Sequence, residues 1–175
     1  MQTIVKLIGI LLFSSLLLAG CVDKPEGVEP VKNFNAEKYL GTWYEIARFD
    51  TSFERGLGQV TATYSLRADG GIKVVNRGYA GEKAEWKEAT GKAYFVEDKN
   101  TGFLKVSFFG PFYSSYIVFD LDENYQYALV AGEDKSYLWI LARTPSIPAD
   151  VKGTLLAKAT ALGYDINRLV YVDQY

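Results

Sequence analysis

The chain has 175 residues, the size of a single domain, and its 49% hydrophobic and 23% charged content allows a real core and excludes wholesale disorder. The formal net charge is −2 and no basic block occurs, which excludes nucleic acid as a partner, because that binding needs a positive footprint. With no histidine and one cysteine, the chain lacks histidine acid–base chemistry, histidine-ligated haem, the usual zinc sites and any internal disulfide, so neither a metal nor a cofactor is expected.

Residues 1–20 read as a removable secretory signal: Lys6 near the start, an apolar run from Leu7 to Leu18, then small residues. The run is too short for a transmembrane helix, which needs about 20 apolar residues, and Asp23, Lys24 and Pro25 follow at once. Leu18-Ala19-Gly20-Cys21 resembles the lipobox of bacterial lipoproteins. That resemblance implies cleavage before Cys21, diacylglycerol on its sulfur and a further acyl chain, such as palmitate, on the new amino group. Two or more chains make a stable anchor, where one is marginal. By the same resemblance, Val22 rather than aspartate after the cysteine favours the outer membrane, with the folded domain on the periplasmic side. Val22 to Lys32, with Pro25, Gly27 and Pro30, reads as a tether; fully extended, it reaches at most about 36–40 Å.

From Gly41 the pattern is short strands broken by turn signals, the spacing of an all-β sandwich or barrel, and the 15% aromatic content suits pleated strands. Gly41 to Phe49 is the first strand, followed by a polar loop, Asp50 to Gly58. Val60 to Leu66 alternates, Ala68 to Gly71 is a hairpin turn, and Ile72 to Tyr79 alternates again. Ala84 to Val96 is long for one strand, and Gly91 suggests a bulge in it. Phe103 to Phe109, Ser115 to Leu121, Tyr125 to Ala131 and Tyr137 to Arg143 complete eight antiparallel strands in an up-and-down meander. Closing that meander removes its unpaired edges. The period then changes: Pro148 and Asp150 open a helix, Val151, Leu155, Ala159 and Leu162 form its apolar stripe, and Gly163 caps it. Leu138 and Ile140 on the last barrel strand are the expected seat of that stripe, outside the barrel. Leu169 to Val172 adds a short final strand.

The segment Asn35 to Ile46, with its Gly41-Thr42-Trp43 kernel, resembles the opening signature of lipocalins, and Leu138 to Pro145, with Arg143, resembles their closing motif. Leu121 to Val130 resembles the middle motif loosely. The resemblance runs from about Asn33 to the C-terminus and, with the lipobox, is to the bacterial, membrane-anchored members. It implies an eight-stranded lipocalin barrel with one outer C-terminal helix, and a protein that binds an apolar ligand. Trp43 and Arg143, on neighbouring first and last strands, then close one barrel end as a cation–π pair worth about 0.5–2 kcal/mol. Gly41 lets the backbone turn beneath them. All three are structural positions.

A barrel of this size can hold one small ligand. Phasing each strand by its own alternation gives an interior set: Ala62, Tyr64, Val74 and Asn76, then Ala93, Phe95, Val106 and Phe108, then Ile117, Phe119, Ala128 and Val130, with Tyr137 and Trp139 last. Alternation alone does not separate lining from filling; Ala62, Ala93 and Ala128 favour a cavity because small inward residues leave room. The resemblance implies fatty acids or lysophospholipids, stored or transported for envelope maintenance. A structural envelope lipoprotein with a filled barrel is the competing reading. Catalysis is set aside: Glu45 faces inward if Trp43 does, yet a salt bridge to Arg143 is its simpler use. The aromatic turn Phe108 to Tyr113 reads as a hydrophobic lip, a packed loop core or the contact of a homodimer.

Overall fold

Alternating apolar residues and tight turns produce the predicted meander, which the computed structural model describes over residues 22–175. A short helix not anticipated from sequence, α1 (Ala36–Tyr39), is capped by the Asn35 side chain, which accepts a bond from Lys38 N at 3.1 Å. The strands are β1 (Gly41–Phe49), β2 (Leu57–Leu66), β3 (Ile72–Ala80), β4 (Glu85–Phe95), β5 (Phe103–Ser107), β6 (Ser114–Leu121), β7 (Tyr127–Ala131) and β8 (Leu138–Ala142). Helix α2 (Ala149–Ala161) and a ninth strand, β9 (Leu169–Tyr171), follow. Each of β2 to β8 pairs with its sequence neighbours, and β1 pairs with both β8 and β2, so the barrel closes. Strand β9 adds to β1 beyond the four residues that β1 shares with β2.

The apolar residues divide into two cores. Inside the barrel, Trp43, Tyr64, Val74, Ala93, Leu104, Val118, Ala128, Val130 and Leu141 pack together with Phe34 and Tyr39. Outside it, Leu155 and Ala159 of α2 lie on Ala47, Phe49, Leu129, Leu138 and Ile140. Both faces of β8 are therefore apolar, as its sequence requires. Gly163 ends the helix region at φ +81°, and Lys158 ties α2 to Asp120 at 2.7 Å.

Four expectations need correction. Strand β6 has the opposite phase: Tyr116 and Val118 pack with the inner cluster, and Ile117 and Phe119 with the outer one. The outer helix and Tyr164 cover that face of β6, so hydrophobicity does not tell its two sides apart, and a bulge between Val118 and Asp120 breaks the period at Phe119. Gly91 is no bulge. Its pairing with β3 is regular, and a Cβ there would lie 2.8 Å from Ser107 O and 2.9 Å from the Phe108 ring. Residues 22–32 are not a free tether. Val28 is fully buried, Pro25 and Pro30 are buried, Val31 N donates to Val118 O and Gly102 N to Val31 O (both 2.9 Å), and Ser115 Oγ donates to Asp23 O. Finally, Glu45 pairs with Arg48 rather than Arg143.

Candidate ligand-binding site

One barrel end is shut by side chains. The Trp43 indole is fully buried and its Nε1 donates to Tyr39 O at 2.8 Å, which fixes α1 across the opening. The Arg143 guanidinium lies 4.0 Å from the Trp43 ring centroid. It also donates to the carbonyls of Thr42 (2.9 Å), Lys38 (2.8 Å) and Tyr125 (3.2 Å), so one side chain joins β1, α1 and the β6–β7 turn. Gly41 has φ +92°, and a Cβ there would meet Arg143 Nη1 at 3.3 Å. In that β6–β7 turn, Asp122 accepts from Gln126 N and Tyr127 N, both at 2.6 Å; this is the physical role of the loosely matched middle segment.

Above this floor Tyr116 bridges Tyr39 and Tyr64, with both O···O distances 2.7 Å. Burial pushes all three phenols above their ordinary pKa, so they are neutral hydrogen-bonding groups at any physiological pH. Of the residues phased inward from sequence, Tyr64, Val74, Ala93, Ala128 and Val130 lie in this buried half. Ala62, Asn76, Val106, Phe108 and Trp139 remain partly open to solvent, as does Tyr116. Phe95 packs at the edge of the same cluster, against Phe34. Tyr137 precedes β8 and stacks on Trp139, with ring centroids 6.0 Å apart. The interior is thus packed at the shut end and solvent-reached toward the other.

Near the open end a polar group is built into the wall. A bulge in β1 between Glu45 and Ala47 brings Glu45 and Arg48 to the same inner face, and Arg48 Nη1 donates to Glu45 Oε1 at 2.7 Å. Arg48 Nη2 also holds Glu54 O at 2.7 Å, while Glu54 Oε2 accepts from Trp139 Nε1 at 3.1 Å. Burial, with the Glu54 carboxylate nearby, pushes Glu45 up to about 8 despite Arg48, and burial likewise raises Glu54. No sequence signal announces this cluster, because it depends on the bulge. At the rim, Phe109 and Phe112 are 82% and 78% exposed, while Phe108 turns inward and Tyr113 packs against Tyr94, so the two phenylalanines at the tip do not form a packed loop core.

Residues 34–174 match the model of the lipocalin-like domain. The chain is 57% identical over 165 residues to "Outer membrane lipoprotein Blc" of Vibrio cholerae, covering 94% of this chain and 96% of that protein. It is 39% identical over 151 residues to "Temperature-induced lipocalin-1" of Arabidopsis thaliana, covering 81% and 80%. Insecticyanin from Manduca sexta superposes with a TM-score of 0.69 at 17% identity, covering 87% of each chain, which shows the shared fold. On the match and the identities together, the chain belongs to the lipocalin family, among its bacterial outer-membrane lipoproteins.

Proposed function

We propose that residues 1–20 are removed, that acyl groups on Cys21 hold residues 33–175 at the outer membrane, and that the barrel interior takes up a fatty acid or lysophospholipid for storage or transport in envelope maintenance. Cys21 and the signal lie outside the described residues. The observation that carries the lipid reading is the gradient inside the barrel. An apolar inward face is sealed at one end by Trp43 and Arg143 and stays open to solvent at Ala62, Val106, Phe108 and Trp139. Such an apolar inward face, shut at one end and carrying a few polar groups, suits an acyl chain. Glu45 and Glu54 are spent on Arg48 and Trp139, which favours binding over catalysis. The buried half of the interior favours the filled-barrel alternative, so a direct assay is needed. Protein purified from membranes is extracted and its lipids weighed by mass spectrometry. About one monoacyl lipid per chain is expected. An empty barrel that also refuses added lysophospholipid and fatty acid would make the protein a structural lipoprotein instead.

A further inference from the structure

Within the lipid-binding reading, the polar groups of the interior do not balance. The Tyr39–Tyr116–Tyr64 chain has three hydroxyl protons and two hydrogen bonds. Whichever way the protons run, one O–H is left without an acceptor in the chain. Asn76 supplies the complement: its Oδ1 is buried and has no hydrogen-bond partner among the described residues. The two features are neighbours. Tyr64 pairs with Val74, and Ala62 with Asn76, so Asn76 is a diagonal neighbour of Tyr64 on the inner face, at about 7–8 Å between backbones, within reach of long side chains. Both lie where the packed half of the interior gives way to the accessible half, since Asn76 and Tyr116 keep partial exposure while Tyr64 is buried. Rotation about the broad terminal torsion of Asn76 presents its amide to the interior. With the spare proton on Tyr64, an unspent donor and an unspent acceptor stand on diagonal neighbours of one inner face, which fits a group that both accepts and donates one hydrogen bond.

We infer that Asn76 and the Tyr39–Tyr116–Tyr64 chain form a recognition site for a ligand hydroxyl, so that among the lipids of the proposed class those with a free hydroxyl are preferred. The phenolic O–H donates to the ligand oxygen, and the ligand O–H donates to Asn76 Oδ1. A carboxylate or a bare hydrocarbon leaves Asn76 unpaired, and a site with unpaired buried polar groups rejects the analogue that causes it. The hydroxyl can come from the glycerol of a lysophospholipid or from the end of a hydroxylated acyl chain.

Two ligand pairs separate these sources. Calorimetry compares a lysophospholipid with its analogue lacking the free glycerol hydroxyl, and a long-chain fatty acid with its ω-hydroxy form, in wild type, Asn76→Leu and Tyr116→Phe. In at least one pair the hydroxyl-bearing member should bind wild type roughly tenfold more tightly than its partner, the worth of about one good hydrogen bond. That preference should vanish in Asn76→Leu, which has no protein hydrogen bond at Oδ1 to lose and should fold normally; Tyr116→Phe should reduce it. Equal affinities within both pairs, or a preference intact in Asn76→Leu, would overturn the inference while leaving lipid binding in place. Failure of all four lipids to bind wild type would instead sink the lipid-binding reading and this one with it.

Discussion

Arg143 works through geometry rather than charge: three carbonyls and an indole face converge on one guanidinium. Arg143→Ala should therefore destabilise the fold by about 1–4 kcal/mol in urea unfolding, through lost packing and three orphaned carbonyls. Lysine at this position should recover little, because an ammonium cannot fork to three acceptors and cover the ring. Glu45 gives a second residue-scale prediction. Its folded pKa is pushed from the usual 4.5 up to about 8, so the folded state binds the extra proton. The stabilisation this confers is complete below about pH 4.5 and is lost as pH rises through about 8. Melting temperature should fall across that window in wild type, and Glu45→Gln should flatten the fall; an equally steep profile in the variant would show that Glu54 or another group is responsible.

At the scale of elements, the close approach of β4 and β5 depends on Gly91. A methyl group there would press on Ser107 O and on the Phe108 ring, both under 3.0 Å away. Gly91→Ala should cost about 1–3 kcal/mol by overpacking, measured by urea unfolding. Leu155→Ala, which empties the centre of the α2 contact, should cost about 2–5 kcal/mol. These elements were legible to different degrees. The stripe of α2 follows from period alone, the bounds of β1 agree with the expected Gly41 to Phe49 although its bulge breaks the alternation, and the burial of Leu138 and Ile140 beneath α2 follows from both faces of β8 being apolar. Strand β6 was not legible for the same reason that β8 was. Apolar residues on both faces demand two covered sides but do not say which residue faces which, and the extra residue Phe119 removes the period that would have decided it. Tyr116, the centre of the hydroxyl chain, was lost with that phase. A strand glycine such as Gly91 signals either a bulge or a close approach, and only the neighbouring strand tells which.

For the whole molecule, the segment after Cys21 lies along the barrel wall instead of spanning a gap. With the proposed acyl anchor on Cys21, this packing would keep the domain near the membrane. Cys21→Ser should release the protein from membranes or leave an uncleaved precursor, read by fractionation and intact mass; wild-type fractionation and processing would refute the anchor. The central claim, that the barrel interior holds the lipid, is tested most directly by filling that interior. Ala62 points inward, pairs across from Asn76 and remains partly open to solvent. Calorimetric titration of wild type and a folded Ala62→Trp variant with a lysophospholipid should show saturable binding in the first and at least roughly tenfold weaker binding in the second, because the indole takes the space of the chain. Unchanged affinity in the folded Ala62→Trp protein would mean that the lipid binds elsewhere.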